Sequence, residues 1–227
     1  MICHIAIDGP SGAGKSTIAK LLSKKMDIMY LDTGAMYRAL ALKAIRLGIE
    51  TTDIEKVTDL LKELDIQIEY KDGQQKILLD GEDVSDKIRT DEVSMGASNV
   101  SAIPAVRKRL VELQQNIAAS KSVVMDGRDI GTHVLPHAAL KIFLTASARV
   151  RAERRYKELS EKGLLTKNFE ELEKEIELRD YNDSHREASP LKQAEDAILL
   201  DTSCLTINEV VDRILEIARM KGLTNVL

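Results

Sequence analysis

Residues 5–17 read IAIDGPSGAGKST, and Gly9-Pro10-Ser11-Gly12-Ala13-Gly14-Lys15-Ser16 within them fits the pattern G-x-x-x-x-G-K-[ST]. The apolar run 3–7 precedes the pattern directly, and a segment of helical periodicity, 16–26, follows it. Strand, glycine-rich turn and helix are the three contexts that a phosphate-binding loop requires. Glycines let backbone N–H groups wrap a phosphate, and the helix adds the positive end of its dipole. Lys15 can reach the terminal phosphates and the Ser16 hydroxyl can ligate Mg²⁺. The segment from Gly9 through Thr17 is therefore the candidate nucleoside-triphosphate-binding set, with Ser16 as candidate metal ligand. A turn that only joins strand to helix is the bland alternative, and the coincidence of all three contexts argues against it.

Outward from this loop, short apolar runs recur at 29–31, 123–125, 141–144 and 197–200. Most are separated by segments of helical period at 35–47, 105–119, 148–159, 169–186 and 207–220. Strands alternating with helices predict an α/β fold with a five-stranded parallel sheet flanked by helices. Four of the five runs are followed by an aspartate, at Asp8, Asp32, Asp126 and Asp201. Ligands of open α/β sheets bind outside the carboxyl ends of the strands, so these ends are where chemistry is expected. Residues 66–84 break the alternation. They carry hairpin signals at Asp72-Gly73 and Asp80-Gly81 and predict an antiparallel insertion.

The chain has 227 residues and a net charge of -4, so it lacks a global positive field for a long polyanion. Five Tyr, two Phe and no Trp make a base-stacking platform a poor fit, and no nucleic-acid polymer is expected as partner. The longest uncharged stretch, 93–106, contains several polar residues and falls short of the roughly 18 apolar residues of a membrane span. Residues 1–8 lack the basic flank and long apolar core of a secretory signal, so a cytoplasmic protein without a membrane partner is expected. Cys3 and Cys204 are expected to be reduced and buried.

A phosphate loop implies a bound nucleoside triphosphate and leaves its fate open. None of the asparagines is followed by Lys, so the N-K-x-D base-reading motif of a GTP-dependent switch is absent. The leading class is a small-molecule phosphotransferase, which needs a second cluster of cations for an anionic acceptor. Arg38 follows Asp32-Thr33-Gly34, Arg107 opens a helix, and Arg128 sits in Asp126-Gly127-Arg128-Asp129. Arg179, Asp183 and Arg186 share a helical face, as do Arg151, Arg154 and Arg155. The Asp126–Asp129 cluster, with two carboxylates and a guanidinium crowding a strand end, is the most informative of these, and a self-satisfied salt bridge is its bland alternative. From spacing alone, a charged surface helix in which Glu153 and Glu158 pair with the 151–155 arginines is favoured over a lid that carries them to the transferred phosphate. The four histidines lack zinc-ligand spacing. A general base is not needed if the acceptor is itself an ionised phosphate.

The segments LDTGAMYR, LDGEDVSDKIRT, IPAVRKRL, MDGRDIGT, KIFLTAS, RDYNDSHREASPL and LLDTS, together with the phosphate loop, resemble bacterial cytidylate kinases over essentially the whole chain. The resemblance implies the fold of P-loop nucleoside monophosphate kinases. It implies a core at 1–57, 101–150 and 187–227, an acceptor-binding insertion at about 58–100, and a short lid with its arms at about 151–186. It implies transfer of the γ-phosphoryl group of ATP to CMP or dCMP with Mg²⁺, in a protein expected to be monomeric. Positions matching Arg38, Arg128 and Arg186 hold the acceptor phosphate in that family. Those matching Ser98, Arg107 and Asp129 read the cytosine ring, and Arg179 and Asp183 match positions near the ribose. Arg151, Arg154 and Arg155 fall in the lid arm, where with Lys15 and Arg128 they are the candidate catalytic cations. Thr33 stands where many relatives have Ser, and Ser16 where some have Gly. A kinase of another small acceptor such as UMP, or a nucleotide-binding switch without transfer, is the competing expectation.

Overall fold

A computed structural model of the chain describes residues 2–71 and 74–223. In chain order the first elements are β1 (His4–Asp8), α1 (Lys15–Met26), β2 (Met29–Asp32), α2 (Thr33–Arg46), α3 (Ile54–Leu60), β3 (Ile66–Lys71), β4 (Gln74–Leu79) and β5 (Glu82–Asp83). They are followed by α4 (Asp91–Ser101), α5 (Pro104–Ala118), β6 (Val123–Gly127), β7 (Leu140–Thr145), α6 (Ala148–Glu161), α7 (Phe169–His185), β8 (Ile198–Asp201) and α8 (Ile207–Met220). The chain divides into two compact units, one made of residues up to Tyr30 and from Lys121 onward, the other of Leu31–Ser120.

The parallel sheet has the order β2-β6-β1-β7-β8. Its register sets Ile7 beside Asp126 and Asp8 beside Gly127, which brings the carboxyl ends of β1 and β6 level. Several strands outlast the apolar runs read from sequence, because backbone pairing continues as long as a neighbour offers a ladder. Asp8 and Asp126 thus lie inside strands and are buried, whereas Asp201 at the edge of the sheet is exposed. Ile5, Ile7, Val124, Leu140, Ile142 and Leu144 pack with Ile18, Leu22 and Met26 of α1 and Val211 and Ile214 of α8. The helix starts follow local chemistry. Asn168 with Glu171, and Thr206 with Glu209, form reciprocal capping boxes at α7 and α8.

In the second unit, β3, β4 and β5 form an antiparallel sheet, as the sequence of the insertion predicts. Asp80 and Gly81 both take the left-handed conformation of a tight hairpin turn, while Asp72-Gly73 lies outside the described residues. The sheet contributes Ile77 and Leu79 to a core with Met36, Leu40, Val57, Val84, Ile88, Val93, Val100 and Leu110. Helix α4 was not evident from hydrophobic period. Thr90 caps it through the Val93 N–H, and Asp91 and Glu92 occupy its first turn. Gly96 lets it approach α2 closely, since a Cβ there would lie 3.0 Å from Thr51 and 3.2 Å from Ala41.

Cys3 is buried as expected, but Cys204 is exposed. Cys204 lies in the connection between β8 and α8, and connections run over the surface. No helix among the described residues is long and apolar enough to cross a membrane.

Candidate active site

The first unit builds a phosphate cradle from the end of β1, the loop and the start of α1. Gly9 has φ +147°, and a Cβ on it would lie 2.0 Å from the Leu144 carbonyl oxygen of β7. Gly12 has φ +78° and faces the Arg151 side chain, whose Cβ would be 3.1 Å from an added methyl. Both positions therefore need glycine, for room and for conformation. Gly9→Ala is expected to destabilise the protein by about 3 kcal/mol or more, through overpacking added to backbone strain. Urea denaturation with and without ATP measures it, and near wild-type stability would contradict the close packing.

Lys15 is buried, and its ammonium donates to the Pro10 carbonyl over 2.6 Å. Burial, then the neighbouring Arg128 cation, pull this group down to about 7, against the opposing pull of Asp126, Asp183 and Asp8. An arriving triphosphate would supply the negative charge that favours the protonated form. Next to it the Ser16 hydroxyl donates to Asp126 Oδ2 at 2.8 Å, while the Tyr30 hydroxyl donates to Asp126 Oδ1 at 2.8 Å. The Asp126 carboxylate is thus oriented by two hydroxyls at the end of β6.

Asp8 ties this cradle to the segment after β6. Its two oxygens accept the N–H groups of Ile130 and Gly131, each at 2.7 Å, where a single π turn (Ile130–Val134) begins. Burial pushes its carboxyl up to about 6, held in check by those two donors. The bonds fix the path of Arg128 and Asp129. Arg128 Nε donates to Asp183 Oδ2 at 2.7 Å. Arg186, just past the end of α7, lies 3.7 Å from Asp183 and 4.0 Å from Asp129, and it also donates to the Ser189 carbonyl. Burial raises the Asp183 carboxyl, but Arg128, Arg186 and Arg179 outweigh it and hold the group below its ordinary value.

Residues 5–220 match the family model described as cytidylate kinase. The cytidylate kinase of Caldicellulosiruptor saccharolyticus is 55% identical over 214 residues, 94% of each chain. That of Bacillus subtilis strain 168 is 51% identical over 219 residues, 96% of this chain and 97% of its own. The chain belongs to the cytidylate kinase family. Among solved structures, a shikimate kinase from Bacteroides thetaiotaomicron superposes with a TM-score of 0.51 at 13% identity, over 96% of this chain and 99% of its own. A gluconokinase from Sinorhizobium meliloti gives 0.51 at 14%, over 98% and 95%. At such identities the likeness is one of fold.

Of the residues that the cytidylate kinase motifs single out, the first unit brings Lys15, Ser16, Arg128, Asp129, Asp183 and Arg186 into one charged neighbourhood, and Arg179 acts on Asp183 there. The three arginines of α6 part ways. Arg151 is buried and donates to Ser11 O (2.9 Å), Ala146 O (2.8 Å) and the Asp180 carboxylate, so it braces the phosphate loop against α7. Arg154 donates to Thr202 after β8, and Arg155 pairs with Glu158. In the second unit Arg38 pairs with Asp32, the side-chain cap of α2, and Thr33 is buried beside it. Arg107 is buried, donates to the Ser101 carbonyl and lies over the Tyr37 ring, while Ser101 Oγ donates to the Ser98 carbonyl.

Sequence reasoning assigned no role to Tyr30, Asp180 or Arg89. It placed Asp8 and Asp32 as strand-end carboxylates, and Asp126 as a strand-end carboxylate within the Asp126–Asp129 cluster. The signal for those three was the aspartate after an apolar run. For Asp180 and Arg89 no local signal exists, because each earns its place through a partner far along the chain.

Proposed function

We infer that the chain is a (d)CMP kinase that moves the γ-phosphoryl group of ATP to the phosphate of CMP or dCMP, giving CDP or dCDP and ADP. The observation that carries this reading is the family match over residues 5–220, joined to a loop in which Lys15 is buried against the Pro10 carbonyl and Ser16 donates to the β6 carboxylate Asp126. An acceptor phosphate oxygen attacks the γ-phosphorus in line, the bond to the β,γ-bridging oxygen breaks, and ADP leaves. The acceptor is already ionised at neutral pH, so the chain needs no general base. Lys15 holds the terminal phosphates while charge spreads over the transferring group. Arg128 and Arg186 carry the acceptor-phosphate role in the first unit, and on its motif Arg38 carries the same role in the second. Asp183 keeps Arg128 oriented, and the Asp8 bridge keeps the turn that bears Arg128 in place.

The oxygen donors of Ser16 and Asp126 fit Mg²⁺, a hard cation that takes one or two protein oxygens and keeps phosphates and water for the rest. These two residues would hold it, and when bound it offsets charge on the β- and γ-phosphates. The lid is the segment 156–168, between the anchored Arg151 and the capping box of α7. It is expected to exchange amide hydrogens quickly in the free protein and slowly with a bisubstrate analogue bound. Equal protection in the two states, read by hydrogen exchange, would mean that 156–168 does not respond to the ligands and is no lid.

The test of the function is ADP production over a panel of acceptors. CMP and dCMP should drive it, and UMP and metabolite alcohols should do so weakly or not at all. ADP release that ignores the acceptor would overturn the reading.

A further inference from the structure

Around Asp32 the second unit gathers more positive charge than one carboxylate balances. Arg38 Nη2 lies 3.2 and 3.0 Å from the two Asp32 oxygens, and Arg89 Nη2 lies 3.2 Å from Oδ2. Oδ1 also accepts the Ala35 N–H at 2.9 Å, and the Asp32 backbone N–H donates to Gln75 Oε1 at 2.8 Å. Asp32 is thereby pinned as the cap of α2 and cannot follow either arginine. Two guanidiniums against one carboxylate leave one net positive charge beside the start of a helix, which itself favours an anion. Arg38 Nε is buried and makes no hydrogen bond. A Cβ at Gly34 would lie 3.3 Å from Asp32 Oδ1, so the glycine gives room to the pinned carboxylate, while Arg38 Nη1 at 3.5 Å would be an ordinary contact.

Arg89 belongs to the LDGEDVSDKIRT motif, for which neither the fold nor the resemblance supplies a chemical role. It ends a one-turn 3-10 segment (Lys87–Arg89) anchored by the fully buried Ile88, while its own side chain is 54% exposed against 7% for Asp32. We propose that Arg89 is a positioning residue for the acceptor phosphate: by sharing Asp32 it allows Arg38 to turn its guanidinium to that phosphate. The proposal rests on the (d)CMP kinase reading. Without Arg89 the whole carboxylate charge falls on Arg38, and an incoming phosphate must compete with a fixed carboxylate for one guanidinium. With Arg89 in place, Asp32 keeps a cation when Arg38 moves, so the exchange leaves no buried charge uncompensated.

The test compares wild type, Arg89→Ala and Arg89→Lys for KM of CMP, KM of ATP, kcat and the inhibition constant of cytidine, which carries the base and ribose without the phosphate. Arg89→Ala should raise KM for CMP about tenfold and leave kcat and KM for ATP within about twofold, with cytidine inhibition unchanged. Arg89→Lys should restore most of the loss. A KM for CMP within about twofold of wild type in Arg89→Ala, or a parallel weakening of cytidine, would overturn the proposal by making Arg89 idle or merely structural. If Arg89→Ala loses its cooperative melt, Arg89→Gln replaces it in the same comparison. Wild type that neither binds nor phosphorylates CMP would overturn the kinase reading itself, an outcome seen before any variant is measured.

Discussion

Lys15→Met lowers phosphoryl transfer by about 10³-fold or more while the protein remains folded, because a positioned cation on the transferring phosphoryl is worth that much. Among the described groups that face Lys15, Arg128 is itself committed to Asp183, so it does not replace the lost ammonium. The same change removes a cation that folding buries at a cost. The Lys15 ammonium falls from 10.5 to about 7 in the folded chain. Between those values the unfolded chain binds more protons than the folded one, so stability rises with pH across that window. Below about pH 7 the full cost of the buried charge is present in wild type. Methionine abolishes both the cost and the slope. Urea midpoints of the variant should therefore exceed those of wild type most at pH 6 and converge with them towards pH 10. A folded Lys15→Met protein with near-normal kcat would remove Lys15 from the chemistry. Parallel stability profiles would mean that the ammonium is not desolvated as the structure has it.

Asp129→Asn narrows the preference of the enzyme for CMP over UMP, which in wild type should be about ten- to a hundredfold in kcat/KM. Cytosine offers an amino donor at N4 beside an acceptor at N3, and uracil reverses both. In the role that the family resemblance implies for Asp129, its carboxylate would accept from the amino group and would face the lone pairs of uracil O4. An asparagine amide can present either its oxygen or its nitrogen, so it serves both bases and loses mainly CMP activity. Asp129 is buried 4.0 Å from Arg186, and a purely electrostatic part in holding that arginine would lower both substrates alike. The ratio, measured as kcat/KM for CMP and UMP in both proteins, separates the two roles. An unchanged ratio would make Asp129 the partner of Arg186 and no reader of the base.

Local chemistry was sufficient for much of this protein. A strand, a glycine-rich turn and Lys15-Ser16 announce the phosphate loop within a dozen residues, because the glycine conformations and the helix start are set by neighbours in the chain. Periodicity likewise placed five strands and six helices, and Asn168–Glu171 and Thr206–Glu209 mark helix starts on their own. Helix α4 escaped because its buried residues, Val93, Gly96, Val100 and Ser101, include a glycine and a serine and only two large apolar side chains, so the capping signal at Thr90 stands without a strong apolar stripe. What only the tertiary structure decided is who holds whom. Asp8 caps a turn 122 residues away, Arg151 braces Ser11 and Asp180, and Arg128 is held by Asp183. The spacing that put Arg151, Arg154 and Arg155 on one face offered Glu158, which Arg155 takes, but it could not assign Arg151 to Ser11 and Asp180 or Arg154 to Thr202. Helical spacing specifies direction around one axis, whereas a hydrogen bond also requires a partner at the right depth and distance, and those partners arrive only when distant segments pack.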